Sequence, residues 1–378
     1  MTFSKQTLPQ RSTKPIAFVM ATLGTGGIGK MRTHLIQELV SRGFRVDLLL
    51  GHQSGPYLKK LDSQARLINM GTTHSLTGLP RLISYLRDDH PVALITEKNR
   101  VNKLVLRAKW LSRSTVPVYS SIHGPVSLKL AMLPPRKRRQ MHRSMSRCYP
   151  LNRKIIAVSH GVGQDFIETF DYPREKLNVV GNPVITRDIY ENVKHPPGHP
   201  WLEDRTFPVV VSVGRLVEQK DYPTLISALN LLKSHKPCRL IILGEGEKRS
   251  ELENMIRTLG LNDLIDLPGF VPNPYAFVDR ADLFVLSSAW EGFGNVLVEA
   301  LALGTPVVAT DCPFGPREIV QNGRLGPLVP VGDPQAMAQA MEKVLRHPPD
   351  KKKLQGGTSA YTAEASADGY LKTIGLMG

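Results

Sequence analysis

Short apolar runs alternate with amphipathic stretches along almost the whole chain. IAFVM (16–20), FRVDLLL (44–50), VALIT (92–96), VPVYSSI (116–122), KIIAVS (154–159) and LNVVGN (177–182) read as strands. A helical pattern from Met31 to Arg42, closed by Gly43, lies between the first two, and further apolar helical stretches lie between the others. Strand–helix alternation of this kind predicts a parallel sheet covered on both faces. ENVKHPPGHPWLEDRTFP (191–208) is rich in proline and charge and reads as a linker. The alternation then restarts with VVVSVG (209–214), RLIILG (239–244), LIDLPG (264–269), LFVLSS (283–288) and TPVVAT (305–310), with helices over 223–233, 247–259 and 294–303. HPPDKKKLQGG (347–357) interrupts this second block, and a last helical segment runs from about Ala363 to Ile374. The pattern predicts two doubly wound α/β domains, 1–195 and 196–378.

A chain of 378 residues with 41% hydrophobic content suits two ordinary cores. Its start, MTFSKQTLPQRSTKP, lacks the apolar stretch of a secretory signal, and no apolar run reaches the roughly 18 residues of a membrane span. Cys148, Cys238 and Cys312 are odd in number and lack C-x-x-C spacing, so neither a disulfide framework nor a zinc site is expected and a reducing cytoplasm fits. Charge changes this picture. The net charge of +16 is concentrated in residues 1–200, where 31 Lys+Arg face 12 Asp+Glu, a balance of +19; residues 201–378 stand at −3. From Lys98 to Gln164 there are 15 bases and no acid. The first half is therefore expected to face something anionic: a membrane surface, a phosphorylated or diphosphate-bearing acceptor, or nucleic acid. Within that stretch Arg136, Arg139, Arg143 and Arg147, flanked by Lys137 and Arg138, recur at helical spacing as one stripe, with Met141 and Met145 opposite. A basic amphipathic helix of this kind suits an anionic membrane; the alternative is a packed helix with a solvated basic face. No zinc-finger, helix-turn-helix or aromatic–basic pattern speaks for nucleic acid.

The candidate chemistry is densest in LFVLSSAWEGFGNVLVEALALGTPVVATD (283–311). It reads as strand, glycine loop, helix, turn and strand, and a helix N-terminus reached through glycines favours an anion such as phosphate. Glu291 and Glu299, on either side of this device, cannot serve a phosphate but can accept hydrogen bonds from the hydroxyls of a sugar and a ribose. Upstream, VVVSVGRLVEQKDYPTLISAL (209–229) places Arg215 and Lys220 beyond the carboxyl end of a strand, where open α/β sheets bind ligands. Arg and Lys there could neutralise a diphosphate, or be two solvated loop bases. In the first half, GTGGIG (24–29) formally matches a dinucleotide-binding loop. Asp47, the acid that would meet a ribose, sits inside a strand rather than at its end, which disfavours NAD. GTGGIGK also nearly matches a P-loop, but Met31 stands where the Mg²⁺-binding hydroxyl belongs.

G-R-L-x4-K (214–220), GEGEKRSEL (244–252), the E-x7-E pair, GTPVVATD (304–311) and DCPFGPREIV (311–320) together resemble glycosyltransferase family 4, retaining enzymes of the GT-B fold, and most of all its members that build lipopolysaccharide cores and lipid-linked oligosaccharides. The resemblance covers about residues 205–335 and, more weakly, 15–185. It implies two Rossmann-like domains facing each other across a cleft, the first binding acceptor and membrane, the second the donor, with the last helix (about 358–378) packing back on the first. It implies that Arg215 and Lys220 hold the donor diphosphate, that the amides of Phe293, Gly294, Asn295 and Val296 cap it, that Glu291 contacts the sugar, and that Glu299 contacts the ribose. Gly26 and Gly27 would lie near donor phosphate and acceptor. His123, in SSIHGP (120–125), otherwise a turn histidine, would lie near the anomeric carbon, and Asn182 would be a further cleft residue. The expected activity is transfer of a hexose or N-acetylhexosamine from a UDP-linked sugar to a lipid-linked or lipopolysaccharide-type acceptor, without metal or other cofactor, at the inner face of the cell membrane. A soluble acceptor, an NAD-dependent oxidoreductase using Gly24–Gly29, and a basic nucleic-acid-binding protein are the alternatives. Glu291→Ala is expected to abolish transfer with little loss of fold.

Overall fold

A computed structural model describes residues 14–377 except 25, 62–64, 72–76 and 205. Most of the amino-terminal stretch considered for a secretory signal therefore lies outside the described residues. The chain forms two compact units. The first comprises Met1–Pro183 and Ala363–Gly378, the second Val184–Thr362.

In the first unit seven strands among the described residues form one parallel sheet: β1 (Ile16–Met20), β2 (Val46–Leu50), β3 (Arg66–Asn69), β4 (Ala93–Thr96), β5 (Val118–Ile122), β6 (Lys154–Ala157) and β7 (Leu177–Val179), in the order β3-β2-β1-β4-β5-β6-β7. Both faces are covered, which is why the inner strands carry no polar alternation. Ile16, Phe18 and Met20 of β1 pack with Leu35, Ile36 and Leu39 of the helix Gly27–Ser41, while Ala17 and Val19 face Leu82, Leu104 and Val105 of the helices Leu79–Asp88 and Asn99–Ser112. β3 (RLIN) eluded the apolar pattern because it is an edge strand with mostly exposed side chains.

The second unit repeats the scheme with β8 (Val209–Val213), β9 (Arg239–Leu243), β10 (Ile265–Gly269), β11 (Leu283–Leu286), β12 (Val307–Thr310) and the two-residue β13 (Leu328–Val329), ordered β10-β9-β8-β11-β12-β13. Leu225, Ile226 and Leu229 of the helix Tyr222–Leu232 join Val210, Leu240 and Ile242 in its core.

The boundary differs from the expected 195/196. The proline-rich stretch carries the short helices Arg187–Asn192 and Pro200–Glu203, and it is bound into the second unit: Val184 and Ile185 N–H donate to the Tyr361 carbonyl, and Asn273 Nδ2 donates to the Asn192 carbonyl. Composition marked a linker, but paired backbone groups decide unit membership. The last helix, Ala363–Ile374, belongs to the first unit, where it packs along Gly27–Ser41; Arg42 pairs with Asp368, and Asn178 Nδ2 donates to Thr373 Oγ1. No described helix is long and apolar enough to cross a membrane.

Candidate functional site

In the second unit the loop after β11 and the loop after β8 are stitched together at the carboxyl ends of adjacent parallel strands. Ala289 N–H donates to the Gln219 carbonyl at 2.9 Å, Gln219 Nε2 to the Trp290 carbonyl at 2.9 Å, and Ser287 Oγ to the Lys220 carbonyl at 2.7 Å. This brings Lys220 and Glu291, 71 residues apart, into an ion pair of 2.5 Å whose side chains are 14% and 9% exposed. Ser288 Oγ donates to the same carboxylate oxygen, Oε1, at 2.7 Å. Arg215 stands exposed in the loop after β8, held at its base by the Leu216 N–H bond to the Glu245 carbonyl.

Glycines set the geometry of the segment after Glu291. Gly294 caps the helix Asn295–Leu303 at φ +100°, a conformation L side chains rarely adopt. Gly315 sits at φ +106° so close to the loop that a Cβ there would lie 1.8 Å from the Phe293 carbonyl oxygen. The loop is thereby clamped with Phe293 buried edge-on against Tyr361, and Asn295 and Val296 form the first helical turn, at the end of the helix where amides carry its positive dipole. Glu299 is buried on the same helix. A helix N-terminus, Arg215, Lys220 and Glu291 thus gather at the carboxyl ends of β8 and β11, with Glu299 buried within the same helix.

In the first unit Gly26 caps the helix Gly27–Ser41 and, with Gly24, Gly27, Gly29 and Glu97, lines a cavity of about 240 Å³. A Cβ on Gly26 would meet no atom within 4 Å, so the glycine leaves space there rather than relieving a clash. Asp47 does not point to this loop: its carboxylate accepts from Arg66 and, at 2.8 Å, from the Tyr85 hydroxyl. An acid so engaged within β2 is a structural group, not a ribose ligand.

His123 follows β5, and its Nε2 is buried without a hydrogen-bond partner among the described residues, 3.9 Å from Glu97 Oε1. Burial lowers its pKa to about 4; Glu97 acts in the opposite sense and Arg32 in the same. The ring is therefore neutral at physiological pH. Since the unfolded chain takes up this proton near pH 6.5 and the folded one only near 4, stability contributed by the neutral ring is lost as pH falls through that window. His123→Gln should flatten the decline in denaturant midpoint between pH 7 and pH 5; an unchanged slope would contradict the assignment.

Next to His123 lies a network that the residue pattern did not reveal. Arg32 Nε donates to Glu97 Oε1 at 2.5 Å, and these side chains are only 2% and 3% exposed. Arg32 Nη2 reaches the hydroxyls of Ser121 and, from the last helix, Tyr370, at 3.4 and 3.3 Å. The guanidinium lies over the rings of Phe18 and Tyr370. One signal was available: Arg32 occupies the apolar stripe shared with Leu35, Ile36 and Leu39, and a charge there demands a buried partner. Asn182 is buried beyond β7.

The basic stripe forms as expected on the helix Pro135–Cys148, with Arg136, Arg139, Arg143 and Arg147 exposed. Two details differ. Arg138 turns away, donating to the Leu130 and Ala131 carbonyls that end the helix Val126–Ala131. Met141 joins the basic groove wall instead of packing inward like Met145, and the neighbouring helix Asn99–Ser112 adds Lys103 and Arg107 to the same groove of about 940 Å³.

Residues 199–359 match the family model described as glycosyl transferases group 1, and residues 25–188 match the model of glycosyltransferase family 4. Among curated relatives, the Campylobacter jejuni N-acetylgalactosamine-N,N'-diacetylbacillosaminyl-diphospho-undecaprenol 4-alpha-N-acetylgalactosaminyltransferase is 34% identical over 203 residues, 53% of this chain and 53% of that protein. The lipopolysaccharide core biosynthesis glycosyltransferase LpsE of Rhizobium meliloti is 34% identical over 172 residues, 44% of this chain and 49% of that one. These matches span about half the length of each relative. The crystal structure of Anabaena HepE in complex with UDP superposes with a TM-score of 0.74 at 20% identity, covering 96% of this chain and 97% of that one. Between them the two family models account for most of both units, and the chain belongs to glycosyltransferase family 4, with the GT-B fold.

Proposed function

We propose that this chain is a retaining glycosyltransferase that moves a hexose or N-acetylhexosamine from a UDP-linked sugar to a lipid-linked or lipopolysaccharide-type acceptor. The observation that carries the reading is the largely buried Lys220–Glu291 pair set beside the glycine-capped terminus of the helix Asn295–Leu303. Lys220 Nζ gives one N–H to Glu291 and retains others for a phosphate oxygen. The bonds from Lys220 and Ser288 both fall on Glu291 Oε1, which leaves Oε2 for a sugar hydroxyl. Arg215 and the first-turn amides would meet the remaining diphosphate charge, so that no cation is required to stabilise the leaving group. Glu299, five positions into the helix numbering from Asn295, would accept from the ribose. In the first unit neutral His123 could place its ring dipole against an oxocarbenium-like centre without adding positive charge beside it. The UDP complex of the Anabaena structure and the lipid-diphosphate acceptor named for the Campylobacter relative support these choices of donor and acceptor. The basic stripe on Pro135–Cys148 would hold the enzyme at the anionic inner face of the cell membrane.

A thermal-shift panel with UDP, GDP, ADP, NAD and their common sugar derivatives tests the donor site. UDP or a UDP-sugar at about 100 times its Kd should stabilise the wild type by about 3 kcal/mol, and Glu299→Ala should lose most of that shift. Stabilisation by NAD alone, insensitive to Glu299, would move the chemistry to Gly24–Gly29 and overturn the proposal.

A further inference from the structure

The helix Asn99–Ser112 carries Lys103, Arg107, Trp110 and Leu111 on one face, since three-, four- and seven-residue steps return to the same side. Its amino-terminal half faces the basic groove. Its other end opens a second groove, of about 830 Å³, lined by Trp110, Leu111 and Leu151 with Lys109 and Arg113 among them. Trp110 is 78% exposed, Leu151 64% and Leu111 43%. One exposed large apolar side chain is ordinary, but three around one groove mark a surface that meets a partner. The partner must tolerate a dense positive field, because no acid occurs between Lys98 and Gln164. It must also accept aliphatic side chains. A single-stranded nucleic acid would call for several aromatic platforms along its path, whereas here one aromatic stands between two leucines. A bilayer interface satisfies both demands: indole favours headgroup depth, leucines enter the acyl boundary, and Lys and Arg meet lipid phosphates.

We propose that Trp110, Leu111 and Leu151 form an apolar wedge that enters an anionic bilayer, while Lys103, Arg107 and the Arg136–Arg147 stripe bind lipid headgroups around it. This rests on the membrane-facing reading of the basic helix and adds a component with a different response to salt. Electrostatic attachment fades at about 1 M salt, where the Debye length is about 3 Å, but apolar insertion does not.

The test is co-sedimentation of the full chain with phosphatidylcholine vesicles and with vesicles containing phosphatidylglycerol, at low and high salt. Trp110→Ser should weaken binding to the anionic vesicles by at least about tenfold and abolish the salt-resistant fraction, and Leu151→Ser should act in the same direction. Arg139→Glu with Arg143→Glu should cost at least about 25-fold at low salt only, about fivefold per lost base. Brominated phosphatidylglycerol should quench wild-type tryptophan emission, and this quenching should vanish in Trp110→Ser. Wild-type sedimentation by both Trp110→Ser and Leu151→Ser would overturn the wedge; if the double arginine variant still lost binding, the membrane reading of the basic helix would survive it. Tighter, Trp110-dependent binding to poly(U) than to vesicles would replace the bilayer with nucleic acid. Stabilisation by UDP-sugars, retained in Trp110→Ser, reports the donor site separately, so failure of the wedge and failure of the transferase reading are told apart.

Discussion

Glu291→Ala should lower kcat/KM for sugar transfer on the order of 10²–10³-fold or more, since the residue removed is the proposed contact to the transferring sugar. The geometry adds a second effect that the residue pattern alone did not carry. Glu291 is the partner of Lys220 at 2.5 Å in a largely buried setting, so its removal strands an ammonium group as well as a ligand. Breaking a fully buried pair costs about 3–5 kcal/mol; Lys220 retains some access to water, and about 2 kcal/mol is expected here. The expectation of little loss of fold therefore gives way to a measurable drop in thermal midpoint. A double-mutant cycle with Lys220→Ala separates the two effects: stability losses should be strongly non-additive, because either single change already breaks the pair. Full transfer activity in Glu291→Ala would remove the donor-site assignment. Additive stability losses would mean that the pair does not exist in solution.

Glu97→Ala should be strongly destabilising to the first unit. Burial opposes the Arg32 charge, and Tyr370 and Glu97 more than offset it, holding the guanidinium protonated above its usual range. Without Glu97 a guanidinium only 2% exposed is left unpaired, at a cost of about 3–5 kcal/mol, or roughly 10 °C in thermal midpoint for a unit of this size. Arg32→Met with Glu97→Leu should recover much of that loss, because the pair is then replaced by apolar volume. Differential scanning calorimetry of the two variants decides the matter. A midpoint for Glu97→Ala within about 2 °C of wild type would show that water reaches Arg32 and that the network is not closed. Tyr370 extends the consequence: its hydroxyl shares Ser121 and Arg32, so loss of the last helix should loosen the surroundings of His123.

Much of the architecture was legible from local pattern. Eleven of the thirteen strands among the described residues coincide with apolar runs, because strands buried on both faces are mostly apolar, and such runs stand out without any knowledge of their neighbours. The two that escaped have other reasons to exist: β3 is an exposed edge, and β13 is two residues long. The glycine loop and the Glu291–Glu299 spacing were also readable, since a strand-to-helix turn and its cap are local events. Partners across the chain were not. The pairing of Lys220 with Glu291, of Arg32 with Glu97 and Tyr370, and of Asp47 with Arg66 and Tyr85 joins residues from 19 to 338 positions apart, and nothing in their immediate surroundings names the mate. The two parallel sheets, the basic half and the helix terminus suited to phosphate follow from local pattern alone, because hydrophobic period, charge and turn chemistry act over a few residues. The fold was needed to show which charges are tied up in pairs, that Arg138 caps a helix instead of lining the basic groove, and that Trp110 stands exposed beside that groove, because burial and pairing depend on what the rest of the chain brings to the same place.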